Sequence, residues 1–128
     1  MAYASNEGAS GESVYVRLFS ADGKVSAAGA RWLVSGNELG RFPRWRSDGR
    51  QLFYTTVTNF GVMAADIDTN KGFQASTPRR LLDAPPPLMP VGWSLTPDAT
   101  RLLFITTPNG GRPLPFTVVL NWAAALKK

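Results

Sequence analysis

The chain has 128 residues, of which 44% are hydrophobic and 18% charged, and this describes one folded domain rather than a disordered chain. It contains no Cys and no His, which excludes disulfides, thiolate chemistry, and the usual zinc ligand and general base. The net charge is +5, no apolar run reaches the length of a membrane span, and the N-terminus shows no signal-peptide pattern.

Short strand-like segments separated by turn signals follow one another along the chain, whereas helical periodicity is almost absent. In the first segment, Val14, Val16 and Leu18 are predicted to share one face. The stronger predicted strands are 13–19, 51–57, 62–67, 101–107 and 115–122, and the weaker ones are 31–34, 79–83 and short pieces around Trp45 and Trp93. Asp-Gly turns at 22–23 and 48–49, a hairpin signal at 109–111 and a stiff connector at 85–87 separate them. This pattern predicts an all-β domain.

Two segments of the chain resemble each other. Residues 45–54 and 93–104 both run from a Trp through a polar turn containing an Asp into an apolar strand. The two acids, Asp48 and Asp98, lie 50 residues apart. A period near 50 with four short strands per unit is typical of propeller blades.

The pattern Trp-x-x-Asp-Gly-x-x-Leu-Phe-Tyr at 45–54 resembles the repeat of TolB-like propellers. Residues 116–128 resemble the end of large bacterial proteins in which a propeller follows a serine/threonine kinase or winged-helix domain. The chain departs from the repeat at Ser47, where Pro is usual, and at Ala99, where Gly is usual. The resemblance implies a partial β-propeller with two to three blades of four-stranded antiparallel sheet. Its units are a partial blade at 1–40, a complete blade at 41–86 and a last blade at 87–128.

The function implied by this resemblance is that of a non-catalytic scaffold or a protein- or peptide-interaction module. Because closed propellers typically have 4 to 8 blades, the chain is expected to form homo-oligomers or to belong to a larger parent chain. The predicted binding loops include 36–42 and 85–90, without an assigned ligand or cofactor. The resemblance also implies a periplasmic or extracytoplasmic relative.

Two alternative functions stay open. The first is the propeller portion of a hydrolase or kinase whose catalytic domain lies outside these residues. The second is weak nucleic-acid binding through Arg41, Arg44, Arg46 and Arg50, which form the densest basic stretch. The competing interpretation is that Trp45 belongs to the core and that its two neighbours point to solvent.

Several motifs invite a chemical interpretation, and each has a structural one that we favour. Residues 66–72 begin like a calcium loop, but the Gly falls one place late and Thr77 replaces the bidentate Glu. Asp48 and Asp98 could form a pair of acids, but Asp at a repeated turn position usually bonds its own backbone. Ser35 and Ser47 lack the context of a nucleophile elbow.

The large aromatic residues form the last candidate group. They could provide a platform for a sugar or peptide, although core packing is the more frequent use of such side chains. The group consists of Trp32, Phe42, Trp45, Trp93 and Trp122. We therefore expect no catalytic and no metal-ligating residue in this chain.

Overall fold

The computed structural model describes residues 1–7, 11–19, 30–59, 61–83 and 92–105. These residues form an all-β, antiparallel structure, and none of them lies in a helix that could span a membrane. The strands are β1 (Ala2–Ser5), β2 (Ser13–Arg17), β3 (Arg31–Leu33), β4 (Gly40–Trp45), β5 (Gln51–Thr56), β6 (Val62–Asp68), β7 (Gln74–Ala75), β8 (Arg79–Leu82), β9 (Gly92–Leu95) and β10 (Leu102–Ile105).

The strands are arranged in three sheets. The first sheet has the order β1-β2-β3, and the last sheet consists of β9 and β10. The central sheet has the order β4-β5-β6, and both β7 and β8 pair with β6. Each sheet therefore contains strands that follow one another along the chain, as is usual for neighbouring antiparallel strands.

Strand β5 and most of β6, in the middle of the central sheet, are buried on both faces. On one face, Leu52 and Tyr54 share an apolar cluster with Val14 of the first sheet. On the other face, Phe53 shares a second cluster with Trp93 of the last sheet. Because successive side chains of a strand point to opposite faces, this arrangement explains why β5 is hydrophobic without alternation. The three sheets are thus stacked face to face.

Next to their turns, the β4–β5 and β9–β10 hairpins have the same register at an offset of 50 residues, whereas a bulge between Arg41 and Arg44 interrupts it further along β4. Arg44 lies opposite Phe53, and Ser94 lies opposite Leu103. Trp45 lies opposite Leu52, and Leu95 occupies the equivalent place opposite Leu102. The sequence alignment of Trp45 with Trp93 is therefore wrong by two residues, because the second segment has two more residues before its Asp.

The predicted faces of β2 need correction. Val14 and Val16 are buried, but Leu18, which was predicted to share their face, is 58% exposed and follows the end of the strand. Tyr15, on the opposite face, is only 6% exposed. Its ring stacks on Tyr3, with 5.9 Å between ring centroids, and the Arg31 guanidinium lies 5.3 Å from its centroid. These neighbours on the same sheet cover the second face of β2, for which the sequence pattern made no prediction.

The other predicted strands agree with the structure to within a few residues where it describes them. The weak segment near Trp45 is longer than predicted, since β4 begins at Gly40, and the short strand β7 was not predicted. The predicted strand 115–122, the turns at 22–23 and 109–111, and the connector 85–87 lie outside the described residues.

Candidate functional site

The two repeated acids stabilise their own turns. The Asp48 carboxylate accepts a hydrogen bond from the Arg50 backbone N–H at 3.0 Å, and the Asp98 carboxylate accepts one from the Thr100 N–H at 3.1 Å. Hydrogen bonding to Arg46 lowers the pKa of Asp48 from 3.8 to about 2. Both side chains are exposed and hydrogen-bonded within their turns. This geometry is that of turn-locking residues and supports our structural interpretation of the motif.

The two equivalent turns contact each other directly. Ser47 Oγ donates a hydrogen bond to the Pro97 carbonyl oxygen at 2.7 Å, so its hydroxyl proton is engaged in the structure. The residues that follow the two acids, Gly49 and Ala99, have backbone φ angles of 71° and 57°. Ala99 thus occupies a left-handed conformation that favours Gly, in agreement with its departure from the repeat pattern.

The calcium-like segment is a strand end followed by a turn. Asp66 accepts a hydrogen bond from Gln51 Nε2 at 2.6 Å, and Asp68 accepts one from the Asn70 backbone N–H at 2.8 Å. Within the part of the chain that the structure describes, no group of three His, Cys, Asp or Glu residues is placed to hold a metal ion. The two acids have local structural partners instead.

The basic stretch carries less free charge than its sequence implies. Arg41 forms an ion pair with Glu12, and Arg46 forms one with Asp48 at 2.6 Å. Arg44 is exposed and donates to the neighbouring backbone carbonyl at 3.1 Å. Two of the four guanidinium groups in this stretch are therefore accompanied by a carboxylate, which weakens the local field for a polyanion.

The aromatic candidates lie mostly in the packing between sheets. Trp93 is 4% exposed, and Trp45 is half-buried against the first apolar cluster. The Trp32 ring lies 4.7 Å from the Phe73 ring, measured between centroids. Phe42 is 44% exposed, and Trp122 lies outside the described residues. These Trp side chains form no common surface platform in the described structure.

The loop between β3 and β4 is fixed to the first sheet. Ser35 is 2% exposed, and its Oγ accepts a hydrogen bond from the Val14 backbone N–H at 3.1 Å. Within the loop, the Glu38 N–H donates to the Ser35 carbonyl oxygen at 3.2 Å. The backbone N–H of Gly40 then donates to the Glu12 carbonyl oxygen at 2.8 Å as β4 begins. These hydrogen bonds fix the backbone of the loop, including that of Glu38, whose side chain is half-exposed.

A polar network joins this loop to the β5–β6 turn. In the orientation that satisfies its neighbours, the Asn59 oxygen accepts from Nη1 and Nη2 of Arg80 at 2.8 and 2.9 Å, and its nitrogen donates to Thr56 Oγ1 at 2.6 Å. Arg80 also forms an ion pair with Asp83, and its Nη2 lies 4.0 Å from Glu38 Oε1. These contacts hold the Arg80 guanidinium beside the Glu38 carboxylate, at a distance longer than a hydrogen bond.

A pocket of about 310 Å³ lies between this loop and the central sheet. Tyr54 lines it and is fully buried, and its hydroxyl has no hydrogen-bond partner among the described residues. Burial and the nearby Glu38 carboxylate raise the pKa of Tyr54 above its ordinary value. The lining residues are Ser35, Gly36, Asn37, Glu38, Tyr54, Met63, Thr77 and Pro78.

One of the two predicted binding loops overlaps the lining of this pocket. The predicted binding loop 36–42 supplies residues 36–38, whereas residues 40–42 lie in β4. The second predicted loop, 85–90, lies outside the described residues. Tyr54, Met63 and Thr77 were not predicted, because the pocket forms only when the loop of one sheet packs over strands of the next.

Comparison with known proteins identified no relative: no protein-family model matches the sequence, and no significant match was found among curated proteins or solved structures.

Proposed function

We propose that the chain is a non-catalytic scaffold or protein- or peptide-interaction module made of consecutive blades of a TolB-like propeller. The observation that carries the proposal is the central sheet, which is sandwiched between two other antiparallel sheets. The register that two hairpins share beside their turns, at an offset of 50 residues, supports the same interpretation. Face-to-face stacking of successive sheets is the packing on which propeller blades depend.

In this proposal, the first sheet belongs to the partial blade at 1–40 and supplies three strands. The complete blade at 41–86 consists of β4, β5, β6 and β8, with β7 as a short addition. The last blade at 87–128 begins with β9 and β10. Further copies of the chain, or neighbouring blades of a longer parent chain, complete the ring.

The partner is a protein or peptide that binds where the β3–β4 loop meets the central sheet. The support for this location is the combination of a fixed loop, the pocket beneath it and the polar network around Arg80. Binding through loops held on a rigid β framework is common, because the framework positions side chains that the loop presents.

A peptide-display selection against the immobilised chain tests this function. The loop variant N37A/E38A alters the proposed site, whereas the matched control T69A/N70A alters a surface beside the 46–50 turn, at the other end of β4 and β5. We expect enriched peptides that bind the wild-type chain and the control but not the loop variant. Peptides that bind all three chains equally, or a selection without enrichment, would contradict the proposal.

A further inference from the structure

The stack of three sheets has an apolar side chain in water at each end. On the first outer face, which is the side of the first sheet turned away from the central sheet, Tyr3, Tyr15 and Leu33 lie opposite one another across β1, β2 and β3. Tyr15 is covered by its neighbours, but Leu33 is 49% exposed. On the last outer face, which is the corresponding side of the last sheet, Leu103 is 67% exposed.

The first outer face is the side that a sheet turns toward the sheet preceding it in the stack. The central sheet packs Tyr54 against the first sheet and Phe53 against the last sheet. The first sheet packs Val14 against the central sheet. Its outer face, with Tyr3 and Leu33, is therefore the counterpart of the central-sheet face that carries Tyr54.

The last outer face is the opposite side, which a sheet turns toward the sheet following it. Phe104 belongs to the cluster shared with the central sheet, so the neighbouring Leu103 points away from that sheet. Leu103 has the place in its hairpin that Phe53 has in the β4–β5 hairpin. Phe53 is 3% exposed because another sheet covers it. The chain thus shows that a sheet is what covers a face of this kind.

The net charge of +5 on each copy opposes association of two copies. The side chains that would meet between the two outer faces are apolar, so burial of apolar surface has to drive the contact. Salt screens the repulsion between like net charges and leaves apolar burial in place. Association through these faces should therefore strengthen as the ionic strength rises.

We infer that the last outer face of one copy packs on the first outer face of a second copy of this chain. Leu103 of one copy is then covered by the sheet that carries Tyr3 and Leu33 in the other, as Phe53 is covered within the chain. Because the two faces differ, the contact is head-to-tail and leaves one face of each kind free in a dimer. This inference rests on the proposed stacking of propeller blades and names the partner of the two ends of the stack.

Analytical ultracentrifugation of the 128-residue chain over a wide range of concentrations tests this association. We expect the average mass to rise with concentration beyond that of a dimer, since each dimer keeps two free complementary faces. The same measurement at about 0.1 and 1 M NaCl should show stronger association at the higher ionic strength, where the screening length is shorter.

Two variants each block one face. L33E places a carboxylate on the first outer face and L103E places one on the last outer face. Each should weaken association at least about tenfold, because the contact would bury an unpaired charge. An equimolar mixture of the two variants should form dimers and nothing larger, since L33E keeps its last outer face and L103E keeps its first outer face.

A matched control separates the effect of position from that of charge. Q74E adds the same charge at an exposed residue of β7 and should associate like the wild type. Far-UV circular dichroism verifies that each variant is folded, and L33Q or L103Q replaces a Glu variant that does not fold.

Several outcomes would overturn the inference. One is a wild-type chain that stays monomeric at every concentration, and another is a mixture of L33E and L103E that stays monomeric. A third is an L103E chain that associates as strongly as the wild type. Loop-binding peptides selected against a monomeric chain would overturn self-association while leaving the proposed peptide-binding function intact. Self-association of a chain that selects no peptide would have the opposite meaning.

Discussion

The 50-residue offset provides a pair of matched substitutions, Phe53→Ala at a buried position and Leu103→Ala at an exposed one. Both residues lie at the same place in equivalent hairpins, but Phe53 is 3% exposed and Leu103 is 67% exposed. Removing a buried Phe side chain costs about 3–5 kcal/mol, because the transfer free energy is lost and a cavity remains. Leu103 is only about one-third buried, so its truncation should cost at most about 1 kcal/mol.

Urea unfolding followed by Trp fluorescence measures both changes in the free energy of unfolding. Phe53→Leu serves as a milder variant if Phe53→Ala does not fold. A cost below about 1 kcal/mol for Phe53→Ala would refute the sandwiched central sheet. A Leu103→Ala cost as large as that of Phe53→Ala would mean that Leu103 is covered in solution. Light scattering over a range of concentrations would then show whether a second copy covers it.

Three further predictions concern the backbone and the turns. Gly40→Ala should destabilise the chain by about 1–3 kcal/mol in urea unfolding, because the new Cβ would lie 2.8 Å from Cδ2 of the buried Tyr54 ring; a neutral effect would contradict this packing. The Asp48 carboxyl, whose pKa is lowered in the folded state from 3.8 to about 2, stabilises the fold when ionised. The contribution of this carboxylate to the free energy of unfolding is therefore complete above about pH 4 and is lost as the pH falls toward 2. The free energy of unfolding of Asp48→Asn, measured over the same pH range, should lack this loss. Ala99→Gly should stabilise the chain by about 1 kcal/mol, since φ is 57° there, whereas Gly49→Ala, at a φ of 71°, should destabilise it similarly; thermal unfolding of both variants would reveal any reversal of sign.

The strands were predictable because turn residues and β-branched or aromatic runs report local conformation. Which residues of a strand are buried was harder to predict from the sequence. Leu18 was grouped with Val14 and Val16, but β2 ends before it. The burial of Tyr15 was not predicted, because its covering by Tyr3 and Arg31 depends on strand pairing. Strand β7 has only two residues and no periodicity from which to predict it.

For the candidate site as well, local features were predictable and the packing between sheets was not. Loop residues such as Glu38 were within a predicted binding loop, which the propeller resemblance placed at 36–42. Tyr54 and Met63 were within predicted strands, and both are buried. Their second role at the pocket arises from the placement of one sheet against another, which no local pattern encodes.

The double-sided burial of β5 also sets the order in which the chain opens. Its backbone amides are covered from two sides, whereas the first sheet carries exposed Leu33 and the last sheet carries exposed Leu103 on outer faces. Local opening requires the least exposure of apolar surface where one face is already in water. We therefore expect hydrogen exchange to be slowest in β5 and faster in the first and last sheets.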